Sequence, residues 1–297
     1  MRYPGALLAA LLAAGPGPGS GLTVSVSVRA PAQGGVSLVT VASDRPLAAL
    51  VMVDGEARTA LERDPSGTTF RGLLGVDLAA EPGARPLVFE TPDGAARLSW
   101  TLEIAAGKFS VQKLSVDPRY VDVPKEELER VKTDQVRVAE AYARGSAVRF
   151  FTSFARPLKA RSNGNFGARR VYNGKAKSFH AGLDLAAPEG TPVLAAGDGR
   201  VVLAGDLYFS GGSVLLDHGA GLFTQYFHLS RIDVKEGDAV AKGARLGASG
   251  HTGRVTGPHL HWGAKLHAAR VNPEDLLALP AWPLSPTLPS PGTDGAR

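Results

Sequence analysis

The chain has 297 residues, with 33 basic and 28 acidic side chains and a formal charge of +5. That length suggests about two domains, each large enough to bury its own core. The sequence contains no cysteine, which excludes a disulfide framework, thiolate metal ligands, a cysteine nucleophile and a lipidated amino-terminal cysteine. Any chemistry rests on oxygen and nitrogen groups.

Residues 1–20 read as a secretory signal peptide: Arg2 supplies the positive end, an apolar Ala/Leu run extends from Ala6 to Ala14, and small residues follow through Gly19 and Ser20. The competing reading is an uncleaved anchor or a merely Ala-rich start. The run is shorter than the roughly 20 apolar residues that span a bilayer. No later segment is a better candidate, so a mature chain without an integral span, periplasmic or secreted, is expected.

Residues 21–107 carry a β pattern. Val24, Val26 and Val28 alternate with polar residues, Val36, Leu38 and Thr40 repeat the period of two, and Asp54-Gly55 and Pro92-Asp93-Gly94 supply turns. About seven short strands of this kind predict an immunoglobulin-like β-sandwich. No cluster there suggests chemistry.

Residues 108–150 read as a connector and a helix. Pro124 suits the first turn, Glu126 and Glu127 favour the positive dipole end, and Leu128, Val131, Val138 and Tyr142 share one face. An interdomain strut ending at Gly145 is expected. Residues 151–279 are again β-rich and dense in glycine, with strand-like runs at 192–196, 200–204, 213–217, 222–227 and 259–264, and predict a compact antiparallel β-sheet domain. The prolines of 280–297 predict a disordered tail.

The charge is uneven. Residues 1–150 hold 17 basic and 17 acidic side chains, whereas 151–279 hold 15 and 10. Arg156, Lys159, Arg161, Arg169, Arg170, Lys175 and Lys177 follow one another with no acidic residue between them. Such an approach points to an anionic substrate or matrix, against the simpler reading of a solvated loop. Nucleic acid fits poorly, for the sequence shows no recognition helix or stacking motif.

Beyond that run, two short clusters hold metal-grade side chains: His180-x-x-x-Asp184 and His259-x-His261. In a strand, His259 and His261 emerge on the same face about 7 Å apart. A catalytic zinc site takes three protein ligands and keeps a fourth position open. His180, Asp184 and one member of the pair would fill three places. The other member and His228, in Gln225-Tyr-Phe-His228-Leu, are then free for proton transfer and oxyanion stabilisation. Gly182 and Pro188 favour a loop running into a strand around His180 and Asp184 over a helix.

The stretches Phe179–Asp184, Tyr226–Ser230 and Thr252–Trp262, with Asn165-Phe-Gly-Ala-Arg169 before and Val234–Asp238 after them, resemble the lysostaphin-type, or LytM-like, zinc metallopeptidases, which cleave peptide bonds in bacterial peptidoglycan. The resemblance covers about 151–279 and implies one zinc ion per chain on His180, Asp184 and His261. It implies catalytic roles for His228 and His259, with His259 as general base and His228 stabilising the tetrahedral intermediate. Peptidoglycan is then the partner, and Asn165, Arg169 and Arg170 are candidate substrate-binding residues. His218, His251 and His267 are expected in turn or surface roles.

Two other readings compete. A catalytically silent wall-binding protein or amidase activator of the same family typically lacks zinc ligands, whereas His180, Asp184 and His261 are all present. Val234–Gly247 also resembles the turn-and-strand unit of biotinyl or lipoyl carrier domains, but a carrier has no use for the histidines.

Overall fold

The computed structural model describes residues 21–282. The expected signal peptide and all but the first residues of the expected tail lie outside that range. The chain folds as two units, one of residues 36–74 and 81–106 with the segment up to 32, the other of 33–35, 75–80 and everything from 107 onward.

The first unit holds eight strands: β1 (Leu22–Val26), β2 (Val36–Ser43), β3 (Val51–Asp54), β4 (Ala57–Ala60), β5 (Glu62–Arg63), β6 (Thr69–Gly75), β7 (Gly83–Glu90) and β8 (Arg97–Ile104). They form two four-stranded sheets of order β1-β2-β6-β5 and β4-β3-β7-β8. Asp54-Gly55 and Pro92-Asp93-Gly94 sit in the β3/β4 and β7/β8 hairpins as their turn chemistry requires, with Gly55 and Gly94 at φ of +58° and +72°. Phe70, Leu87, Phe89 and Leu102 are fully buried.

In the second unit the expected strut is instead part of the fold. β9 (Val111–Leu114) pairs in parallel with β10 (Arg169–Tyr172), which pairs antiparallel with β11 (Lys175–Phe179). Pro124 caps a short 3₁₀ turn at Lys125–Glu127, and the α-helix α1 runs from Leu128 to Ala143. Ala141, with Val138 and Tyr142 beside it, packs into an apolar cluster with Val202, Leu203, Leu207, Leu215 and Phe223. The apolar stripe is therefore consumed inside the unit, apart from Leu128, which is exposed.

The remaining strands are β12 (Gly182–Ala186), β13 (Pro192–Leu194), β14 (Gly199–Leu207), β15 (Gly211–Asp217), β16 (Leu222–Ile232), β17 (Ala239–Val240), β18 (Arg245–Ser249), β19 (His259–Leu266) and β20 (Ala269–Val271), followed by the short helix α2 (Pro273–Leu277). They make one nine-stranded sheet whose main path is β12-β19-β16-β15-β14-β17. Each of its pairings is antiparallel. Alternation positions the site. On β19, Leu260 and Trp262 enter a core with Leu185, Leu216 and Tyr226, which leaves His259 and His261 on the opposite face.

Packing continues slightly past the expected start of the tail. Trp282 is buried, its backbone N–H donates to Thr152 O at 3.0 Å, and its ring lies edge-on to Phe151 and under the Arg149 guanidinium. An indole needs cover, and the Pro-rich composition around it does not override that. Among the described residues, no helix is long and apolar enough to cross a membrane.

Candidate active site

The sheet register brings the two motifs together. β12 and β19 pair with Asp184 directly opposite His261, and β16 pairs with β19 so that Phe227 stands opposite the same histidine. His180 lies in the link between β11 and β12, a loop running into a strand, and its N–H is fixed by Ala168 O at 2.8 Å. His180 Nε2 is 2.9 Å from His261 Nδ1 and 3.0 Å from Asp184 Oδ1, and His261 Nδ1 is 3.2 Å from that oxygen. All three residues are buried.

The donor set fits a divalent ion. His180 donates Nδ1–H to Asn165 O at 3.0 Å, because a carbonyl can only accept, and so its Nε2 presents a lone pair to the cluster. The other carboxylate oxygen, Asp184 Oδ2, receives Asn165 Nδ2 at 2.9 Å and the Arg170 guanidinium, which leaves Oδ1 directed inward. A tetrahedral zinc ion with bonds of about 2.0–2.2 Å spaces its ligand atoms roughly 3.3–3.5 Å apart. The observed triangle of 2.9–3.2 Å is within a few tenths of an ångström of that spacing. His180, Asp184 and His261 form the one metal-capable group of three among the described residues, and zinc is the cofactor this set accommodates.

Burial pushes His261 down to about 4, and Asp184 only partly opposes this by accepting a hydrogen bond. Burial alone would raise Asp184, yet hydrogen bonding and charge from His180 and His261 hold its carboxyl far below the usual range. A neutral ring beside a carboxylate at neutral pH is the protonation state a cation binds without first displacing protons.

His228 and His259 flank the cluster, their ring centroids 4.9 Å apart. His228 donates Nδ1–H to Thr252 O, and His259 donates Nδ1–H to Gly257 O, both at 2.8 Å. Each therefore turns a basic Nε2 away from its backbone anchor, and that of His259 is 3.5 Å from Asp184 Oδ1. His228 sits at φ +67°, a conformation that is uncommon for a residue with a Cβ. The twist interrupts strand alternation, so that Phe227 and His228, neighbours in sequence, line one cavity. Phe227 stacks flat on His261, 5° between planes. Burial and the charge of the neighbouring histidines push His228 well below its ordinary value.

Sequence motifs locate these five residues, but other parts of the site needed the structure. Gly182 is required because a Cβ there would lie 2.6 Å from His261 Nε2 and 2.7 Å from Trp262 O. Asn165, an expected substrate contact, is buried and has both side-chain atoms engaged by Asp184. Arg170, expected in the same role, braces Asp184, while Arg169 is exposed with its guanidinium over Phe179. The basic run is partly neutralised, with Arg156 paired to Glu274 and Lys175 to Asp122. His251 is exposed beside Glu189 and His267 is an exposed turn residue, as expected, but His218 is fully buried.

Two clefts meet at the cluster. One, of about 360 Å³, is lined by Tyr142, His180, Phe227, His228 and His261; the other, of about 130 Å³, by Gln112, Asn163, Asp184 and His259. Between them the two clefts are lined by all three candidate ligands and by both flanking histidines.

Comparison with known proteins agrees with this geometry. Residues 178–273 match the family described as Peptidase family M23. A 128-residue stretch is 43% identical to the peptidoglycan DD-endopeptidase ShyA of Vibrio cholerae, covering 43% of this chain and 30% of that protein. A 102-residue stretch is 45% identical to the DD-carboxypeptidase/endopeptidase Mpg of Neisseria meningitidis, covering 34% of this chain and 23% of that one. The chain thus spans less than a third of the length of these curated relatives. The crystal structure of a peptidase M23 from Pseudomonas aeruginosa superposes with a TM-score of 0.65 at 29% identity, covering 83% of this chain and 95% of that one.

Proposed function

We propose that this chain, which carries a peptidase family M23 domain at residues 178–273, is a zinc endopeptidase that hydrolyses peptide cross-links or stem peptides of bacterial peptidoglycan outside the cytoplasm. One observation carries the reading: three metal-capable ligand atoms within 3.2 Å of one another, flanked by two histidines whose Nδ1–H groups are tied to backbone carbonyls. The names of the relatives ShyA and Mpg support the substrate class.

His180, Asp184 and His261 would hold the ion. When bound, zinc polarises a carbonyl and lowers the pKa of water from 15.7 to about 7. The remaining steps belong to the chain's own residues. With Nδ1–H held by Gly257 O, His259 offers Nε2 to the attacking water, takes its proton as the C–O bond forms, and returns it to the leaving nitrogen as the C–N bond breaks. His228, whose Nδ1–H is held by Thr252 O, offers an unprotonated Nε2 and would stabilise the tetrahedral intermediate by accepting a hydrogen bond from the hydroxyl that the attacking water leaves on it. Phe227 and Tyr142 line the larger cleft with ring faces beside His228 and His261.

Digestion of purified walls of defined cross-link chemistry, with the released muropeptides identified by mass spectrometry, tests the proposal. New peptide amino and carboxyl ends at one bond type are expected. Walls left intact by zinc-loaded protein would overturn it.

A further inference from the structure

Arg254 has an unusual setting. Its guanidinium lies 4.5 Å from the centre of the Tyr172 ring and 5.0 Å from that of Phe209. Among the described residues no carboxylate stands within ion-pair distance of it, whereas the neighbouring Arg170 is matched by Asp184. It is half-buried, and burial together with the like charge of Arg170 pulls its pKa down. An arginine still remains charged under such conditions. A side-chain hydrogen bond with Tyr172 and the aromatic stacking offset part of the cost of holding a cation there, but Tyr172 can serve only part of the guanidinium's five N–H donors and stacking serves none.

The position is fixed. The backbone N–H of Arg254 donates to Phe209 O at 2.8 Å, and Gly253, at φ +75°, allows no Cβ, which would come 2.5 Å from Gly211 N. Two residues earlier, Thr252 accepts the His228 ring proton through its carbonyl and ties to Gly212 N and Leu229 O through its hydroxyl. Arg254, Arg170 and Tyr172 are the residues that line both clefts. A substrate passing from His228 in one cleft to His259 in the other must run beside this cation.

We propose that Arg254 reads a free carboxylate on the substrate peptide within a residue or two of the scissile bond. The inference rests on the peptidase reading above and narrows it. The substrate is a link between stem peptides in which a diamino acid or a terminal residue keeps its carboxylate, and neutral glycine bridges are poor substrates. The planar fork of a guanidinium pairs with a carboxylate through two parallel hydrogen bonds, and an amide in the same place offers it a single uncharged acceptor.

The test compares a cross-linked muropeptide dimer having free diamino-acid carboxylates with the same dimer amidated at those positions. Zinc-loaded protein is expected to prefer the free acid by about tenfold or more in kcat/KM. Arg254→Gln should reduce that preference to below about twofold, and Arg254→Lys should retain part of it. A merely structural role would slow both dimers alike and leave the ratio unchanged. Equal rates on the two dimers by the unsubstituted protein, or a full preference kept by Arg254→Gln, would overturn the inference. Calorimetric binding of both dimers to zinc-loaded His259→Ala protein separates the two proposals. Tighter binding of the free acid there supports the role of Arg254 even if no bond is cut by the parent protein, and equal affinities refute it.

Discussion

Two buried histidine sites lie on the same sheet and differ in one respect. At the first, His218 donates Nδ1–H to Asp198 O at 2.7 Å, and its Nε2 is 2.7 Å from Thr224 Oγ1, which in turn is 2.9 Å from the Tyr226 hydroxyl. Every ring nitrogen there has a protein partner of opposite hydrogen-bonding character. At the second, His180 Nε2, His261 Nδ1 and Asp184 Oδ1 converge as three metal-capable atoms, with at most the one ring proton of His261 Nδ1 to share among them. Burial depresses His218 and His261 alike, to about 4 in both cases. Depth and perturbation therefore do not distinguish a structural histidine from a functional one; the convergence of several metal-capable atoms on one point does.

The largest expected effect breaks the convergence. His180→Ala should lose zinc and activity together, read as metal content by mass spectrometry and as muropeptide release. His259→Ala should keep about one zinc per chain and lose turnover by roughly 10² to 10⁴, the usual worth of a general base. The reverse pattern, zinc lost with His259 and kept without His180, would require exchanging their roles. A smaller effect is expected where the carboxylate is braced rather than where it ligates. Asn165→Ala removes a bond to Asp184 Oδ2 and to the Asp184 N–H, and should weaken zinc affinity by about 10- to 100-fold in a chelator competition. Unaltered affinity would mean that Arg170 alone suffices.

Much of this contrast was legible in the sequence. The His-x-x-x-Asp and His-x-His spacings located the cluster, and strand-like runs set between glycines placed β13, β14, β15, β16 and β19 of the sheet that carries it, because both are local properties of the chain. What depends on pairing between distant segments was not legible. Arg170 reaches Asp184 only from β10, whose parallel partner β9 lies some 60 residues earlier. The positive φ of His228 leaves no compositional trace, unlike the glycine turns at 55 and 94. His218 sits at an Asp-His-Gly turn as the sequence indicates, yet its ring turns inward to Asp198 and Thr224, residues that no local pattern links to it. Arg254 falls inside the Thr252–Trp262 motif, but its aromatic neighbours Tyr172 and Phe209 come from two other loops and strands.

The smallest expected effect concerns stability and belongs to the satisfied histidine. His218 titrates at about 4 in the folded chain, depressed by burial, against about 6.5 in an unfolded one. Below about 6.5 the unfolded state takes up a proton that the folded state refuses. Stability is then lost as pH falls from about 6.5 toward 4, by up to about 3 kcal/mol from this group. His218→Gln keeps a side chain able to hydrogen-bond but cannot titrate. Urea unfolding at pH 7.5 and at pH 4.5 should show a shallower loss for this variant than for the parent chain, whose remaining histidines titrate equally in both. Muropeptide release at neutral pH should stay within about twofold, because His218 contributes nothing to either cleft. Parallel pH profiles would mean that the ring takes up its proton equally in the folded and the unfolded chain, so that burial does not depress it.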